Sequence, residues 1–284
     1  MNYAINTTFM GGIMGTLFSV VSWNVEHFKG TNKRRVADVI RQIKEKNPDV
    51  FGLYEVEGKE IYDEITTAMS EYTFHITEGP QTQEILVGVK QGITAFFTQK
   101  LEFKSGNQYL RPGALLSLKI NNTDYGILFL HTKSGNDPLG LGLRDDMFKR
   151  ACQFRKTLDK AVGEKWGSHY IFLGDMNTMG MEYPFDKGIE ASVEIKKLAD
   201  KEAKKVKMCL LTKDEKATFW NGSKSKIPQS DLDQVVASEN MKFKKINGAD
   251  VTVLGWPKAA SVKDKDEWIK KYSDHGMLYF EVVS

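Results

Sequence analysis

Hydrophobic and polar positions along this chain follow two different periods. Short apolar runs, separated by Gly, Asn and Asp, have the length and composition of strands. Longer stretches between them carry apolar residues three and four positions apart, which is the spacing of one helix face. The strand-like runs are 17–23 (LFSVVSW), 48–55 (PDVFGLYE), 84–90 (EILVGVK), 93–99 (ITAFFTQ), 113–121 (GALLSLKIN), 125–131 (YGILFLH), 169–175 (HYIFLGD), 217–220 (ATFW), 233–238 (DQVVAS) and 277–283 (MLYFEVV).

Amphipathic segments between these runs predict helices. They are 32–47 (NKRRVADVIRQIKEKN), 58–72 (GKEIYDEITTAMSEY), 143–162 (LRDDMFKRACQFRKTLDKAV) and the Lys-rich 193–207 (VEIKKLADKEAKKVK). In the first helix, Val36, Ile40 and Ile43 share one face, and Thr31 or Asn32 is placed to cap its N-terminus. Helices and strands are mixed without a strict βαβ rhythm, and neither a repeat nor a low-complexity linker divides the chain. We therefore predict an α/β fold in which helices cover layered sheets.

The composition is that of an ordinary soluble globular protein. Of the 284 residues, 41% are hydrophobic and 27% are charged, so a substantial core can form. A formal net charge of +3 permits a polyanionic partner without demanding one. Cys152 and Cys209 form neither a disulfide framework nor a zinc-binding spacing. We expect a monomer in a reducing, cytoplasmic compartment.

The N-terminal stretch 9–21 (FMGGIMGTLFSVV) is apolar enough to raise the question of a signal peptide. No Lys or Arg precedes it, and it is too short to span a bilayer. We expect residues 1–16 to form an N-terminal leader and residues 17–284 to form one catalytic domain, with Met14 as an alternative start. A cleaved signal peptide is the competing interpretation.

The motif GDMN (174–177) follows an apolar run and can be interpreted in two ways. Residues two apart in a strand share a face, so Asp175 and Asn177 would project together if the extended geometry continued. The alternative is a turn, because Gly, Asp and Asn are common turn residues.

Polar and charged side chains recur at the edges of the predicted strands. They are Asn24 after the first strand, Glu55 at the end of the second, Arg111 before 113–121, His131 at the end of 125–131, Asp175 and Asn177 after 169–173, Asp231 and Asp233 entering 233–238, and Asp274 and His275 before 277–283. One such edge is typical of a turn. The whole set indicates a rim of functional groups above a core.

The residue types in this set belong to one kind of chemistry. Glu55, Asp274 and Asn24 offer the hard oxygen ligands that Mg²⁺ uses. Imidazoles such as His131 and His275 can act as acid, base or phosphate contact near neutral pH. An arginine holds phosphate oxygens in a fork. Together they describe metal-assisted attack on a phosphate ester.

Three short motifs carry a family resemblance: WNV (23–25), GDMN (174–177) and SDH (273–275). In this order, and over the span from Phe18 to Glu281, the chain resembles the endonuclease/exonuclease/phosphatase superfamily. That superfamily includes pancreatic-type deoxyribonucleases, abasic-site endonucleases, neutral sphingomyelinases and inositol polyphosphate 5-phosphatases. The resemblance implies a four-layer α/β sandwich of two packed mixed β-sheets flanked by helices.

The resemblance also implies a role for each matching residue. Glu55 is the principal ligand of a Mg²⁺ ion, or of Mn²⁺, with Asn24 beside it and Asp274 completing the metal site. Asp175 activates or orients the attacking water, and Asn177 contacts the phosphate. The matching of His275, Asp233 and Arg111 implies further contacts at the scissile phosphate: His275 touches it, Asp233 supports that imidazole, and Arg111 holds phosphate oxygens.

His131, in LHTKSG (130–135), resembles the branch that contains deoxyribonuclease and sphingomyelinase. In that branch the histidine is a general acid or phosphate ligand, and an acid partners it. Glu84, which opens the strand 84–90, matches that acid. The resemblance therefore implies that Glu84 lies beside His131 and favours the charged imidazole.

Two positions depart from the family pattern. Tyr54 precedes the metal-binding Glu where many members have Gln, and Gln234 follows Asp233 where His is frequent. Neither departure removes a charge from the site, so it bears on the choice of substrate more than on the chemistry.

Residues outside the motifs receive structural interpretations. The predicted helix 143–162 carries Arg144, Asp145, Asp146 and Arg150, which we expect to form a solvated face. His27, next to Glu26 in the sequence, is a minor candidate for the lining of the cleft.

The sequence therefore predicts a metal-dependent phosphodiesterase whose substrate is nucleic acid. Two alternatives stay open: a phosphatase or phosphodiesterase for inositol phosphates or sphingomyelin-like lipids, and a non-catalytic binding module on the same scaffold. No long apolar segment for membrane docking is found in the sequence, and we expect no membrane partner.

Overall fold

The computed structural model describes residues 15–284, so most of the expected leader and the alternative start Met14 lie outside the described part of the chain. The helices are α1 (Lys33–Lys46), α2 (Lys59–Ala68), α3 (Pro138–Val162), α4 (Ala191–Lys196) and α5 (Val262–Lys271). The strands are β1 (Thr16–Lys29), β2 (Val50–Glu57), β3 (Tyr72–Ile76), β4 (Glu84–Lys90), β5 (Thr94–Lys100), β6 (Gly113–Ile120), β7 (Thr123–His131), β8 (His169–Asp175), β9 (Met208–Leu210), β10 (Asp233–Ser238), β11 (Lys242–Phe243), β12 (Thr252–Leu254) and β13 (Met277–Val283).

The strands form two mixed sheets. The first has the order β11-β13-β1-β2-β4-β3, with β12 also pairing with β13, and the second has the order β5-β6-β7-β8-β10-β9. Each sheet contains one parallel pair, β1 with β2 and β7 with β8, while the other pairs are antiparallel. A helix links each parallel pair, α1 in the first sheet and α3 in the second, because parallel strands need a crossover.

Three hydrophobic clusters hold the layers together. The central cluster joins side chains of both sheets, for example Val20 and Ile85 from one and Ile127 and Val235 from the other. A second cluster packs the outer face of the first sheet against α1, α2 and α5, and a third packs the second sheet against α3 and the helical segment after α4. The molecule is therefore the predicted four-layer α/β sandwich.

Periodicity located most elements correctly and missed the shorter ones. The strand expected at 217–220 is wrong, because Phe219 forms only isolated bridges there. Asn32 caps α1, where its side chain accepts a hydrogen bond from the backbone N–H of Arg35. The predicted helix 193–207 is helical but changes pitch, passing from α4 into a π-helical turn at Lys197–Ala203. β3 was missed because its five residues lack a long apolar run. None of the described helices is long and apolar enough to cross a membrane.

The expected solvated face of α3 is wrong at Arg144. This side chain is 0% exposed and forms an ion pair with the buried Glu194, with 2.7 Å between Arg144 Nε and Glu194 Oε1. Its guanidinium also donates to the backbone carbonyls of Lys133, Gly135 and Gly180. The pair therefore ties the loop after β7 to the loop after β8, a non-local contact that helical periodicity cannot show.

We expect Arg144→Ala to lower the free energy of unfolding by about 3–5 kcal/mol, because Glu194 would be left buried without a counter-charge. Arg150→Ala, on the same helix, removes an exposed pair with Asp146 and is expected to cost at most about 1 kcal/mol. Urea titration of both variants provides the comparison. Equal losses in the two variants would contradict the buried role of Arg144.

Candidate active site

The topology gathers the functional residues at one edge of the sandwich. The parallel strands β1, β2, β7 and β8 reach this edge with their carboxyl ends, and β8 ends there at Asp175, opposite His131 of β7. Their antiparallel neighbours begin at the same edge, so β10 starts at Asp233, opposite Asp175. The segments that precede β4, β6 and β13 lie at this edge for the same reason.

Neutral donors hold Glu55 in place. Its Oε2 accepts hydrogen bonds from the backbone N–H of His27 at 2.9 Å and from Gln83 Nε2 at 3.0 Å, and its Oε1 accepts from Asn24 Nδ2 at 3.1 Å. The carboxylate is 18% exposed, and among the described residues no Lys or Arg lies within 4 Å of it. The carboxylate of Glu55 is therefore held in one orientation, and no lysine or arginine in the described part of the chain neutralises its negative charge.

A bulge in β1 provides one of these donors. The pairing of β1 with β2 shifts register between Asn24 and Phe28, and Glu26, His27 and Glu55 all have positive φ. Left-handed conformations cost non-glycine residues about 1–2 kcal/mol each, so packing elsewhere must offset this strain. The bulge turns the His27 N–H toward Glu55. The sequence predicted that the strand ends before Asn24, but it continues because Phe28 and Lys29 pair with Val56 and Glu57 of β2.

Asn24 faces the carboxylates with its NH₂ group, and its expected role beside Glu55 in the metal site stays a prediction. Its Nδ2 donates to Glu55 Oε1 and, at 2.9 Å, to Asp175 Oδ2, while its Oδ1 accepts from the backbone N–H of Glu26. Since a backbone N–H can only donate, the orientation of this amide is fixed. Asn24 therefore holds the two carboxylates side by side.

Asp175 is 2% exposed and lies at the centre of the cluster. Its Oδ2 is 3.4 Å from His131 Nε2 and 3.8 Å from His275 Nε2. Burial raises the pKa of Asp175 above its ordinary value; the nearby Asp233 adds to this rise, while His275 and the hydrogen bond from Asn24 oppose it. A carboxylate with a raised pKa is suited to accept a proton near neutral pH.

The turn interpretation describes GDMN correctly from Asp175 onward. β8 ends at Asp175, and Asn177 has a φ of 46°. The backbone N–H of Asn177 donates to Asp175 Oδ1 at 3.0 Å, and its side chain donates to the carbonyl of Thr132 at 3.2 Å. Asn177 thus lies next to Asp175 through a turn, and its contact with phosphate stays a prediction.

His275 and Asp233 form a buried pair. Asp233 Oδ2 lies 2.8 Å from His275 Nδ1, which leaves Nε2 of the imidazole directed toward Asp175. Burial disfavours the charged imidazole, but the carboxylates of Asp233 and Asp175 outweigh it and raise the pKa of His275 to about 10. The structure therefore favours a cationic His275, and its contact with phosphate stays a prediction.

His131 has different neighbours from those the sequence predicted. Its Nε2 faces Asp175 and, at 3.9 Å, Glu55, while its buried Nδ1 has no hydrogen-bond partner among the described residues. Burial, with the positive charges of Arg111 and His275, lowers its pKa well below the ordinary value. The expected favouring of a charged His131 by Glu84 is therefore wrong.

Glu84 lies on the other side of its strand. Its carboxylate accepts hydrogen bonds from Thr77 Oγ1 at 2.6 Å and from Gln81 Nε2 at 2.9 Å, and it forms no ion pair with His131. Gln83, one residue earlier, faces the site instead. Since side chains alternate along an extended chain, an error of one position exchanges the two faces.

Arg111 reaches the site as expected, but its partner is an amide. The guanidinium donates to Gln83 Oε1, and its buried Nε has no hydrogen-bond partner among the described residues. Burial lowers its pKa, while Glu55 and Asp175 oppose that change. No carboxylate of residues 15–284 pairs with this guanidinium, so its positive charge remains available at the cluster.

Asp274 stands apart from the clustered donors. The described side chains whose ligand atoms lie within 4.8 Å of one another are Glu55 with His131 and Asp175, and Asp175 with Asp233 and His275. Burial raises the pKa of Asp274 to about 6, with smaller contributions from Glu26 and Glu55 and an opposing one from His275. Its assignment as a metal ligand thus finds no support in these clusters.

Sequence reasoning missed Gln83 and Arg35. Arg35 of α1 donates to the carbonyls of Val25 and Tyr272, which joins the β1 bulge to the segment before β13. The alternation of β4 could have drawn attention to Gln83 as well as Glu84. Arg35 has no local sequence signal, because its partners are backbone atoms of distant segments.

Gly174 permits the close approach of the two sheets beneath the site. Its φ is 139°, and a Cβ at this position would lie 2.6 Å from the hydroxyl of Tyr54 and even closer to the carbonyl oxygen of Leu130. Tyr54 belongs to β2, and its hydroxyl also contacts Ser22 Oγ at 3.0 Å. The unusual Tyr before Glu55 therefore fills the junction between the sheets.

Comparisons with known proteins place this fold. No protein-family model matches the sequence, and neither does any curated protein. Among solved structures, D. rerio TDP2 complexed with a single-strand DNA product has a TM-score of 0.62 at 14% identity, covering 94% of this chain and 99% of that chain. An endonuclease/exonuclease/phosphatase family protein from Bacteroides thetaiotaomicron has a TM-score of 0.58 at 16% identity, covering 94% and 97%. A mannosyl-6-phosphatase from the same organism has a TM-score of 0.58 at 14% identity, covering 94% and 100%.

At these identities the likeness establishes the fold alone. It is the fold of the endonuclease/exonuclease/phosphatase superfamily, which the three motifs predicted. The likeness extends over nearly the whole of each chain, so the sandwich as a unit is shared.

We expect Gly174→Ala to destabilise the protein more than Gly92→Ala does. Gly92 has a φ of 89° and nothing within 4 Å of a Cβ built on it, so alanine there costs only backbone strain of about 1–2 kcal/mol. At Gly174 the clash adds about 1–3 kcal/mol of overpacking. Denaturant midpoints of the two variants measure the difference, and similar midpoints would argue against a tight junction at Gly174.

Proposed function

We propose that this chain is a divalent-metal-dependent phosphodiesterase that hydrolyses nucleic acid. The observation that supports this proposal most strongly is the convergence on Asp175 Oδ2 of two imidazole Nε2 atoms, at 3.4 and 3.8 Å, beside the carboxylate of Glu55. Such a cluster offers a proton acceptor, a cationic phosphate contact and a metal-binding carboxylate within one small volume.

The donor set fits a hard divalent cation. Glu55 and Asp175 are held side by side by Asn24, and among the described residues no lysine or arginine nitrogen lies within 4 Å of either carboxylate, only histidine nitrogens. Two adjacent carboxylates repel each other in a partly dry site, so a cation between them would be favourable. Glu55 would hold Mg²⁺ or Mn²⁺, which supplies charge stabilisation for the phosphoryl oxygens.

The protein's own residues divide the remaining work. Asp175 is placed to orient a water and take its proton, because it is buried and its pKa is raised. His275, kept cationic by Asp233, would contact the phosphate. His131, whose Nε2 also faces Asp175, and Arg111, which Gln83 links to Glu55, would hold the leaving side of the phosphate.

Nucleic acid is the proposed substrate on two grounds. D. rerio TDP2, which shares the fold over 94% of this chain, was solved with a single-strand DNA product. The net charge of +3 is also compatible with a polyanion. A small phosphoester is the second candidate, because a mannosyl-6-phosphatase shares the fold to a similar extent.

A substrate panel separates these candidates. Duplex DNA, single-stranded DNA, RNA, mannose 6-phosphate, inositol phosphates and sphingomyelin vesicles would each be incubated with Mg²⁺, with Mn²⁺ and with excess chelator. The proposal expects metal-dependent cleavage of a nucleic acid. Turnover of a sugar or inositol phosphate with no nuclease activity would replace it with the second candidate, and no turnover of any substrate would favour a binding module.

We expect Glu55→Gln to raise the Mg²⁺ concentration needed for half-maximal activity, because a neutral amide attracts a cation less than a carboxylate does. Glu57→Gln is the matched control, since Glu57 lies two residues further along β2 and pairs with His27 and Lys29. Activity would be measured across a Mg²⁺ titration for both variants. Coincident titration curves for Glu55→Gln and the unsubstituted protein would rule out Glu55 as the ligand.

We expect Asp175→Asn to lower the turnover rate by roughly 10²–10⁴, because an amide cannot accept a proton from water. The fold should survive, since asparagine has nearly the same shape and buries no charge, and it loses only one of the two hydrogen bonds that Asp175 accepts from Asn24 and Asn177. Single-turnover rates and thermal unfolding of the same sample test both statements. A variant that folds and keeps more than about a tenth of the rate would exclude the proton-acceptor role.

A further inference from the structure

The side-chain amide of Gln83 lies between the two opposite charges of the site. Its Nε2 donates to Glu55 Oε2 at 3.0 Å, and its Oε1 accepts from the guanidinium of Arg111. A guanidinium can only donate hydrogen bonds and an ionised carboxylate can only accept them. The amide therefore has one orientation that satisfies both neighbours.

Each of the two charged groups lacks a direct partner of strong opposite charge. Among the described residues, Arg111 makes no ion pair within 4 Å, and its buried Nε has no hydrogen-bond partner. Glu55 likewise has no Lys or Arg within that distance. We expect this guanidinium and this carboxylate, which share one neighbour, to pair directly once that neighbour is removed, since such pairs are strong and often bidentate.

A direct pair between Arg111 and Glu55 would neutralise the groups that the proposed reaction needs. Arg111 would lose its capacity for phosphate oxygens, and Glu55 would lose its capacity for a cation. A glutamate at position 83 would pair with Arg111 and place a second negative charge beside Glu55. A neutral amide avoids both outcomes, because it bonds to each group without cancelling either charge.

We propose that Gln83 is a positioning residue that keeps Glu55 and Arg111 apart and oriented, so that a divalent cation and a phosphate bind at the same time. This inference rests on the proposed function, which assigns the cation to Glu55 and the phosphate to Arg111. Gln83 itself contacts neither the reacting atoms nor the cation in this role.

Two substitutions of Gln83 should change the affinity for the cation in opposite directions. Gln83→Glu adds a carboxylate beside Glu55, so we expect Mn²⁺ to bind several-fold more tightly and inorganic phosphate about tenfold more weakly. Gln83→Ala lets Arg111 pair with Glu55, so both Mn²⁺ and phosphate should bind more weakly. Calorimetric titration of the full chain with Mn²⁺ alone, and with phosphate at saturating Mn²⁺, measures these affinities without any turnover.

Gln81→Glu is the matched control. Gln81 lies in the same segment but contacts Glu84 and Lys104 instead of Glu55, so its substitution should leave Mn²⁺ affinity unchanged. Thermal unfolding of each variant shows whether it is folded before titration.

The outcomes of these titrations distinguish the inference from its premise. Opposite shifts of Mn²⁺ affinity in Gln83→Glu and Gln83→Ala support the positioning role. Shifts of the same sign, no shift in either variant, or a shift of equal size in Gln81→Glu overturn it while the proposed function stands. If the unsubstituted chain binds no Mn²⁺, the proposed function fails and the inference fails with it.

Discussion

The site depends on the cost of burying the carboxylate of Asp175. A charge that is 2% exposed is stable only if neighbouring dipoles or opposite charges compensate for the lost water. Asp175 receives this compensation from the Asn177 N–H, the NH₂ group of Asn24 and two imidazoles at longer distance. The compensation is incomplete, and the raised pKa of Asp175 is its consequence. An incompletely compensated acid is what a proton acceptor needs.

The topology makes this arrangement possible without long loops. One parallel pair lies in each sheet, and the carboxyl ends of both pairs reach the same edge of the sandwich. Antiparallel neighbours then begin at that edge, which places Asp233 opposite Asp175. Gly174 lets the sheets approach closely below the cluster, because any side chain there would meet Tyr54 and Leu130. Rigid strands therefore position most of the charged groups.

The sequence predicted the layered fold and most of the site because both follow from strand edges. Apolar runs located the strands, and polar residues at their ends located the rim. The failures share a physical cause, since they depend on contacts distant in sequence or on the direction of a side chain. Glu84 was chosen where Gln83 faces the site, which is a difference of one residue in an alternating pattern. Arg144 was assigned to solvent because its partner Glu194 is fifty residues away in sequence.

Side-chain amides have a common role among the charged groups. Asn24 bonds to Glu55 and Asp175, and Gln83 bonds to Glu55 and Arg111. Lysine or arginine in the place of these amides would stabilise the carboxylates more strongly, but it would also neutralise them. An amide orients a charge and leaves it available, at a lower gain in stability. Asn24 and Gln83 thus leave the charged groups free to bind charged ligands, at the expense of some stability.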